Sequence, residues 1–382
     1  MATTLLVQPD RKFLRDIMHG GAADLKKCFQ CATCTSVCSL STESNPFPRK
    51  QMIEAQWGMT DRLMTDPAVW LCHNCGDCTT RCPRDARPGQ VMGAIRSEVI
   101  RRFAFPRFMG DLVHNPRTLP LLFALPILVF YALAVPLHAA GAQGFEFALM
   151  FPQPRLEVLF FTVGALVGFA FVVGVIHFIQ ALRASGAKGA ILPGLVPVLV
   201  EIVAHRRFAK CDAEKDRYWG HLLVLYGFGG LALVGTVIGI GTMFGVMHTP
   251  LPILNPLKVF ANLCALVAFV GAVILVAGRL KNREALTATT YFDWFFLLVL
   301  TIAVMTGILS EGLRLAQNQA WMYPVYFVHL TLILALFLYA PYSKFAHFVY
   351  RTIALAATWD QNRPLPADQE SVATGTLADT GS

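Results

Sequence analysis

Eight of the ten cysteines in this 382-residue chain fall into two identical runs. Cys28, Cys31, Cys34 and Cys38 form the first; Cys72, Cys75, Cys78 and Cys82, followed by Pro83, form the second. Each run reads C-x2-C-x2-C-x3-C. Three closely spaced thiolates grip one face of a [4Fe–4S] cube, and the fourth cysteine of such a run ligates the other cube. The pattern assigns cluster one to Cys28, Cys31, Cys34 and Cys82, and cluster two to Cys72, Cys75, Cys78 and Cys38. Ser39, where proline would match the second run, is not a ligand position. Structural zinc takes four ligands, usually as two pairs, and accounts poorly for two quartets. A disulfide framework belongs to short secreted chains, and the stretch MATTLLVQPDRKF lacks the apolar run and cleavage site of a signal peptide.

Two regions must position this chemistry. The chain is 55% hydrophobic and 15% charged, with mean hydropathy +0.52, against about 25% charged in soluble domains. Residues 1–110 hold both runs and no long apolar segment, which predicts a small soluble domain with short helices near Gln51–Trp57 and Gly89–Arg102. Six apolar segments follow, at 119–139, 157–182, 221–247, 257–279, 291–314 and 324–346, each near the ~20 residues that span a bilayer. Residues 111–351 therefore read as a transmembrane domain. Residues 352–382 read as a polar, disordered tail.

Basic residues orient the spans. Arg183, Lys188, Arg206, Arg207, Lys210, Lys215 and Arg217 follow the second segment, and Arg279, Lys281 and Arg283 the fourth. The opposite loops carry Arg155, Lys258 and Arg314. The positive-inside rule then puts the basic loops, both termini and the cluster domain on the cytoplasmic side of an inner membrane. This distribution assigns the net charge of +8 to membrane topology, with lipid and not nucleic acid as the partner. Residues 190–208, with Pro193 and Pro197, predict a helix lying in the interface. Lys26, Lys27, Arg81, Arg84 and Arg87 near the cluster ligands either balance cluster charge or form a docking face for an acidic partner. Gly227-Phe228-Gly229-Gly230-Leu231-Ala232 imitates a dinucleotide fingerprint, but inside a spanning helix small residues serve close packing.

Ionisable residues in spanning helices are costly and mark function. His177, His221, His329 and His347 are the candidates. His329 and His347, 18 residues apart, would share one face of a continuous last helix, about 27 Å apart along its axis. That register suits two stacked b-type haems, each needing a second histidine. Depth pairs His221 with His347 at the cytoplasmic end and leaves His177 with His329. His138 and His248 sit near outer helix ends; Cys264 reads as a small apolar residue, and Cys211 lies in a loop. Asp293, Glu201 and Glu311 near the boundaries either move protons for a quinone or are interfacial charges. The expected fold is mainly α, an N-terminal helical two-cluster ferredoxin-type domain fused to a six-helix transmembrane cytochrome b domain holding one or two haems b.

The stretches LKKCFQCATCTSVC and WLCHNCGDCTTRCP resemble the ferredoxin subunit of heterodisulfide reductases. WGHLLVLYGFGGLALVG with His329 and His347 is similar to their membrane cytochrome subunit and to the gamma subunit of respiratory nitrate reductase. The fusion of the two, over residues 13–351, resembles the C-subunit family of quinone-interacting membrane-bound oxidoreductase (Qmo) complexes. In the nitrate reductase gamma subunit a second histidine follows the first by ten residues; here that position is Leu231. The resemblance implies two soluble flavin- and iron–sulfur-bearing partner subunits. It also implies electron exchange between menaquinone and adenylylsulfate (APS) reductase in dissimilatory sulfur metabolism. The expected function is a redox wire linking the quinone pool through haem b and two clusters to soluble subunits. Its alternatives are a heterodisulfide- or sulfite-type membrane subunit, and a transporter carrying an iron–sulfur sensor.

Overall fold

The computed structural model describes residues 8–43, 45–135, 145–187, 189–204, 215–281 and 290–358, and the described secondary structure is helical. Eight helices precede the membrane-like region: α1 (Arg11–His19), α2 (Thr33–Ser36), α3 (Arg49–Gln56), α4 (Thr60–Met64), α5 (Ala68–Leu71), α6 (Asp77–Thr80), α7 (Pro88–Phe103) and α8 (Arg107–His114). Asp10 starts α1 as its N-cap, accepting from the backbone N–H groups of Lys12 and Phe13 at 3.0 and 2.9 Å. Pro88 starts α7 at its first position, where a missing N–H costs nothing. The expected short helices near 51–57 and 89–102 are α3 and α7. The expected domain boundary at 110 falls within α8.

Then come α9 (Leu119–Leu133), α10 (Gln153–Ala184), α11 (Ile191–Ala204), α12 (Lys215–Met243), α13 (Pro256–Lys281), α14 (Tyr291–Leu315), α15 (Gln319–Leu338) and α16 (His347–Ala357). Six helical stretches are long and apolar enough to cross a membrane: Pro116–Leu133, Gln153–Ala184, Arg217–Met243, Pro256–Lys281, Tyr291–Leu315 and Gln319–Leu338. The chain is thus a multi-pass membrane protein by length and composition. Side chains such as Leu128, Val158, Leu233 and Leu263 project outward from the bundle, as lipid-facing residues do. Between α12 and α13 the small residues act as expected. A Cβ on Gly227 would lie 2.5 Å from the Ala268 backbone nitrogen, and Cys264 is buried against Gly230.

At 32 residues, α10 is about 48 Å long, well beyond a ~30 Å hydrocarbon core. Its final turns leave the bundle and enter the core of the cluster domain, where Phe178 and Leu182 are buried with Trp70, Phe13 and Met92. Tyr350 of α16 stacks on Trp70 with centroids 5.8 Å apart, and Phe178 meets that indole edge-on at 6.1 Å. The two halves therefore share one core at the end of the bundle that also carries Arg183, Arg217 and Arg279.

Two expectations are corrected here. The last apolar segment is not one helix through His347. It stops at Leu338, gives way to short 3-10 turns at Ala340–Tyr342 and Lys344–Ala346, and restarts at His347. Pro341 lacks a backbone donor, and Ser343 is extended, with φ −102° and ψ −179°, at the cap of the next turn. The expected tail at 352 also begins later, because α16 runs to Ala357 and buries Ala354, Leu355 and Ala356. The expected interfacial helix is α11, which packs Val198 against Leu355 and Ala356. Residues 359–382, His138, Lys188, Arg206, Arg207, Lys210, Cys211 and Arg283 lie outside the described residues.

Candidate redox-centre sites

The two cysteine loops share one backbone twist. In the first, Gln30 and Ala32 adopt φ of 60° and 66°; in the second, Asn74 and Gly76 adopt 56° and 91°. Each left-handed pair bends the loop, and a four-residue helix, α2 or α6, then carries the third cysteine and leads to the fourth. A surface pocket is lined by Cys28, Cys31, Cys34 and Cys82, the quartet expected for cluster one. Burial pushes the Cys34 thiol up to about 11, and its thiol neighbours are Cys28, Cys82 and Cys31. Burial likewise pushes Cys38 up to about 11, with Cys72 and Cys75 adding to the rise. Cys78 is raised by burial and then by Cys72, Cys75 and Cys38. Each of these three thiols thus lies near cysteines of the other run.

Nine described cysteines, these eight among them, form no disulfide. Among the described residues no three His, Cys, Asp or Glu side chains converge closely enough for a single metal ion. Cysteines outside any disulfide fit iron clusters, whose positive charge would deprotonate the thiols. Backbone N–H groups of Asn74 and Ala86 point at the sulfurs of Cys72 and Cys82, each at 3.3 Å. Around this rim Lys27 pairs with Asp24 at 2.7 Å, Arg87 reaches Asp24 and Asp85, and the Arg84 guanidinium lies 4.2 Å over the exposed Phe29 ring. Lys26 and Arg81 are exposed.

At the adjoining end of the bundle, His221 of α12 and His347 of α16 face each other with ring centroids 6.2 Å apart and planes at 74°. Two imidazoles bound on opposite sides of a metal, with metal–nitrogen bonds of about 2 Å, have centroids about 6 Å apart. His347 Nδ1–H donates to the Lys344 carbonyl at 2.6 Å, which leaves Nε2 as the nitrogen that could ligate a metal. Lys344 is itself held by the Asp293 carboxylate, and Asp293 closes a capping box with Thr290. These residues fit a bis-histidine haem.

His329 and His177 are not brought together. His329 is packed on Gly307, and its Nδ1–H donates to the Ala303 carbonyl at 2.9 Å. His177 is exposed on α10 and His248 beyond the end of α12. The break before His347 removes the shared helix face that favoured a second haem. Of the boundary acids, Glu311 pairs with Lys258 at 3.1 Å and Arg314 at 3.0 Å, and Glu201 is half-buried on α11.

Between the histidine pair and the second cysteine loop lie residues that spacing alone did not single out. Arg96 and Arg351 donate to the Cys72 carbonyl at 2.9 and 3.1 Å, Arg351 also reaches His73 Nδ1 at 2.9 Å, and Arg217 donates to the Asn74 carbonyl at 2.7 Å. The signal was present: Arg217 precedes His221, and Arg351 follows His347, by one helical turn.

Residues 24–86 match the family described as a 4Fe-4S dicluster domain. The chain is 27% identical over 360 residues to citrate utilization protein B of Escherichia coli, covering 87% of this chain and 89% of that one. It is 37% identical over 93 residues to the C subunit of the H(2):CoB-CoM heterodisulfide,ferredoxin reductase of Methanothermobacter thermautotrophicus, covering 24% of this chain and 50% of that protein. It is also 38% identical over 96 residues to a protein of Archaeoglobus profundus that is like the C subunit of heterodisulfide reductase, covering 25% and 51%. No solved structure matches. Fold and match define an iron–sulfur electron-transfer protein with two [4Fe–4S] clusters and a membrane-like helical domain. Its cluster domain is related to the C subunit of heterodisulfide reductases, and the fusion as a whole is similar to the E. coli protein.

Proposed function

We propose that this chain is the membrane electron-transfer subunit of a quinone oxidoreductase complex of the Qmo kind. The observation that supports this reading is the His221–His347 pair, 6.2 Å between centroids, beside the Cys72 loop. Residues 1–110 serve as the cluster domain, with cluster one on Cys28, Cys31, Cys34 and Cys82 and cluster two on Cys72, Cys75, Cys78 and Cys38. Residues 111–351 serve as the haem b domain. When bound, haem b and the clusters supply one-electron carriers between a membrane quinone, menaquinone by resemblance, and a soluble partner. His221 and His347 hold the haem, and the Lys344 carbonyl keeps His347 in the ligating tautomer. Asp293 anchors Lys344 and so fixes that carbonyl. The partners by resemblance are two soluble flavin and iron–sulfur subunits and, beyond them, APS reductase, met on the cytoplasmic side of the inner membrane.

A second reading is favoured by the match across 89% of the E. coli citrate utilization protein. In it the same device serves citrate utilization with a different soluble partner. A reduced-minus-oxidised optical spectrum of the purified protein, with haem and iron counted per chain, tests what both readings share. One haem b and about eight non-haem irons, four per cluster, are expected. Absence of haem would overturn both and favour a transporter carrying an iron–sulfur sensor.

A further inference from the structure

Arg96 lies on α7, Arg217 on α12 and Arg351 on α16, yet all three guanidinium groups meet the backbone of Cys72–Asn74. Cys72 and Cys75 bracket that stretch. Arg351 is the most committed of the three, with one nitrogen on the Cys72 carbonyl and another on His73 Nδ1. Lys344 is close by, and Asp293 faces the group while pairing with that lysine. The first cysteine loop has different surroundings. Cations around it, among them Lys26, Lys27, Arg49, bonded to Gln30, and Arg84, lying over Phe29, are exposed at the rim, where water screens their charge. The two loops share one backbone twist but not one electrostatic environment.

Reduction of a four-thiolate [4Fe–4S] cluster adds one electron and one unit of negative charge. Fixed positive charge beside a cluster therefore favours its reduced form, and more so away from water. We propose that Arg96, Arg217 and Arg351 are positioning residues that raise the reduction potential of cluster two above that of cluster one. Arg217 and Arg351, which hold the cluster-two loop, each lie one helical turn from a histidine of the facing pair. Cluster two is then the centre on the membrane side and the better electron acceptor of the two, and cluster one, with Cys31 exposed, is the centre nearer the soluble partner. This rests on the cluster assignments in the proposed function but not on the haem.

The test is a mediated redox titration of the full-length protein in detergent, followed by electron paramagnetic resonance, with iron counted in each sample. Mediators equilibrate the clusters whether or not haem is bound, so failure here and failure of the haem reading are distinguishable. Cys75→Ser identifies the cluster-two signal by its loss. In Arg351→Gln the cluster-two potential should fall by about a tenfold change in the reduced-to-oxidised ratio, roughly 59 mV for one electron. The cluster-one signal should stay in place, and Arg351→Lys should restore most of the shift by restoring charge. Arg217→Gln, whose bond is to a non-ligand residue, should act in the same direction with iron content intact. Unmoved potentials in both glutamine variants, equal shifts of both clusters, or a wild-type cluster two below cluster one would overturn the proposal.

Discussion

His221 and His347 stand with ring centroids 6.2 Å apart and planes at 74°, on helices that approach from different parts of the chain. Neither helix alone could make this arrangement. His221 sits in the first two turns of α12, and His347 opens α16 just after the turns that follow Pro341. Replacing either with alanine removes one of two axial positions. His221→Ala or His347→Ala should lose the haem b absorbance and leave the iron count unchanged, while His177→Ala keeps both. Pyridine haemochrome assay with iron analysis checks this; full haem in both single variants would remove the pair from consideration as ligands.

Cys75 lies in the centre of the second cysteine run, just after the residues whose carbonyls Arg351 and Arg217 hold. Cys75→Ser replaces a thiolate by a hydroxyl, a poor ligand for iron. With a quinol donor, haem b in this variant should still be reduced at a rate close to wild type. Electron delivery to a soluble acceptor should drop at least about tenfold. Stopped-flow absorbance separates the two phases, and undiminished delivery would show that electrons bypass cluster two.

Gly227 and Gly230 allow α12 to approach α13 until backbones touch. A Cβ at Gly227 would stand 2.5 Å from the Ala268 nitrogen and 2.7 Å from the Cys264 carbonyl oxygen. Backbone cannot rotate away as a side chain can. Gly227→Val should therefore destabilise the bundle by about 1–3 kcal/mol or more, as overpacking does. Gly229→Ala, with open space around its Cβ direction, should be close to neutral. Thermal unfolding in detergent distinguishes these outcomes.

The cysteine spacing and the apolar runs were legible because each answers a constraint that acts locally. A cube needs its thiolates at fixed intervals, and a bilayer needs about 20 apolar residues. The end of α15 was not legible in the same way. Residues 339–346 still carry aromatic and small apolar side chains, so composition carries the apolar segment past Pro341 although Ser343 and Lys344 mark a break. The projection of α10 was hidden for a related reason: Phe178 and Leu182 are apolar whether they meet lipid or Trp70. The arginine contacts to the Cys72 loop depend on tertiary structure, Arg351 being 279 residues from Cys72. Their spacing from His221 and His347 carried a signal that becomes meaningful only once the partner loop is known.

His114 ends α8 at the edge of the bundle, with its ring stacked on Phe292 at 4.4 Å and its Nδ1–H donating to the Gly110 carbonyl at 2.8 Å. Burial, with Arg101 adding repulsion, pushes its pKa down to about 4 from an ordinary value of 6.5. In the unfolded chain the ring takes up a proton near 6.5, while the folded chain resists until about 4. Between these values the unfolded state binds more protons, so stability rises with pH across the window and is complete above it. The slope from this one group approaches about 1.4 kcal/mol per pH unit at most. Wild-type protein should therefore lose more thermal stability between about pH 7 and pH 5 than His114→Gln, which keeps a polar side chain but does not titrate. Melting midpoints of the two proteins, measured in the same detergent at both pH values, decide the point: parallel losses would mean that His114 takes its proton as readily in the folded chain as in the unfolded one.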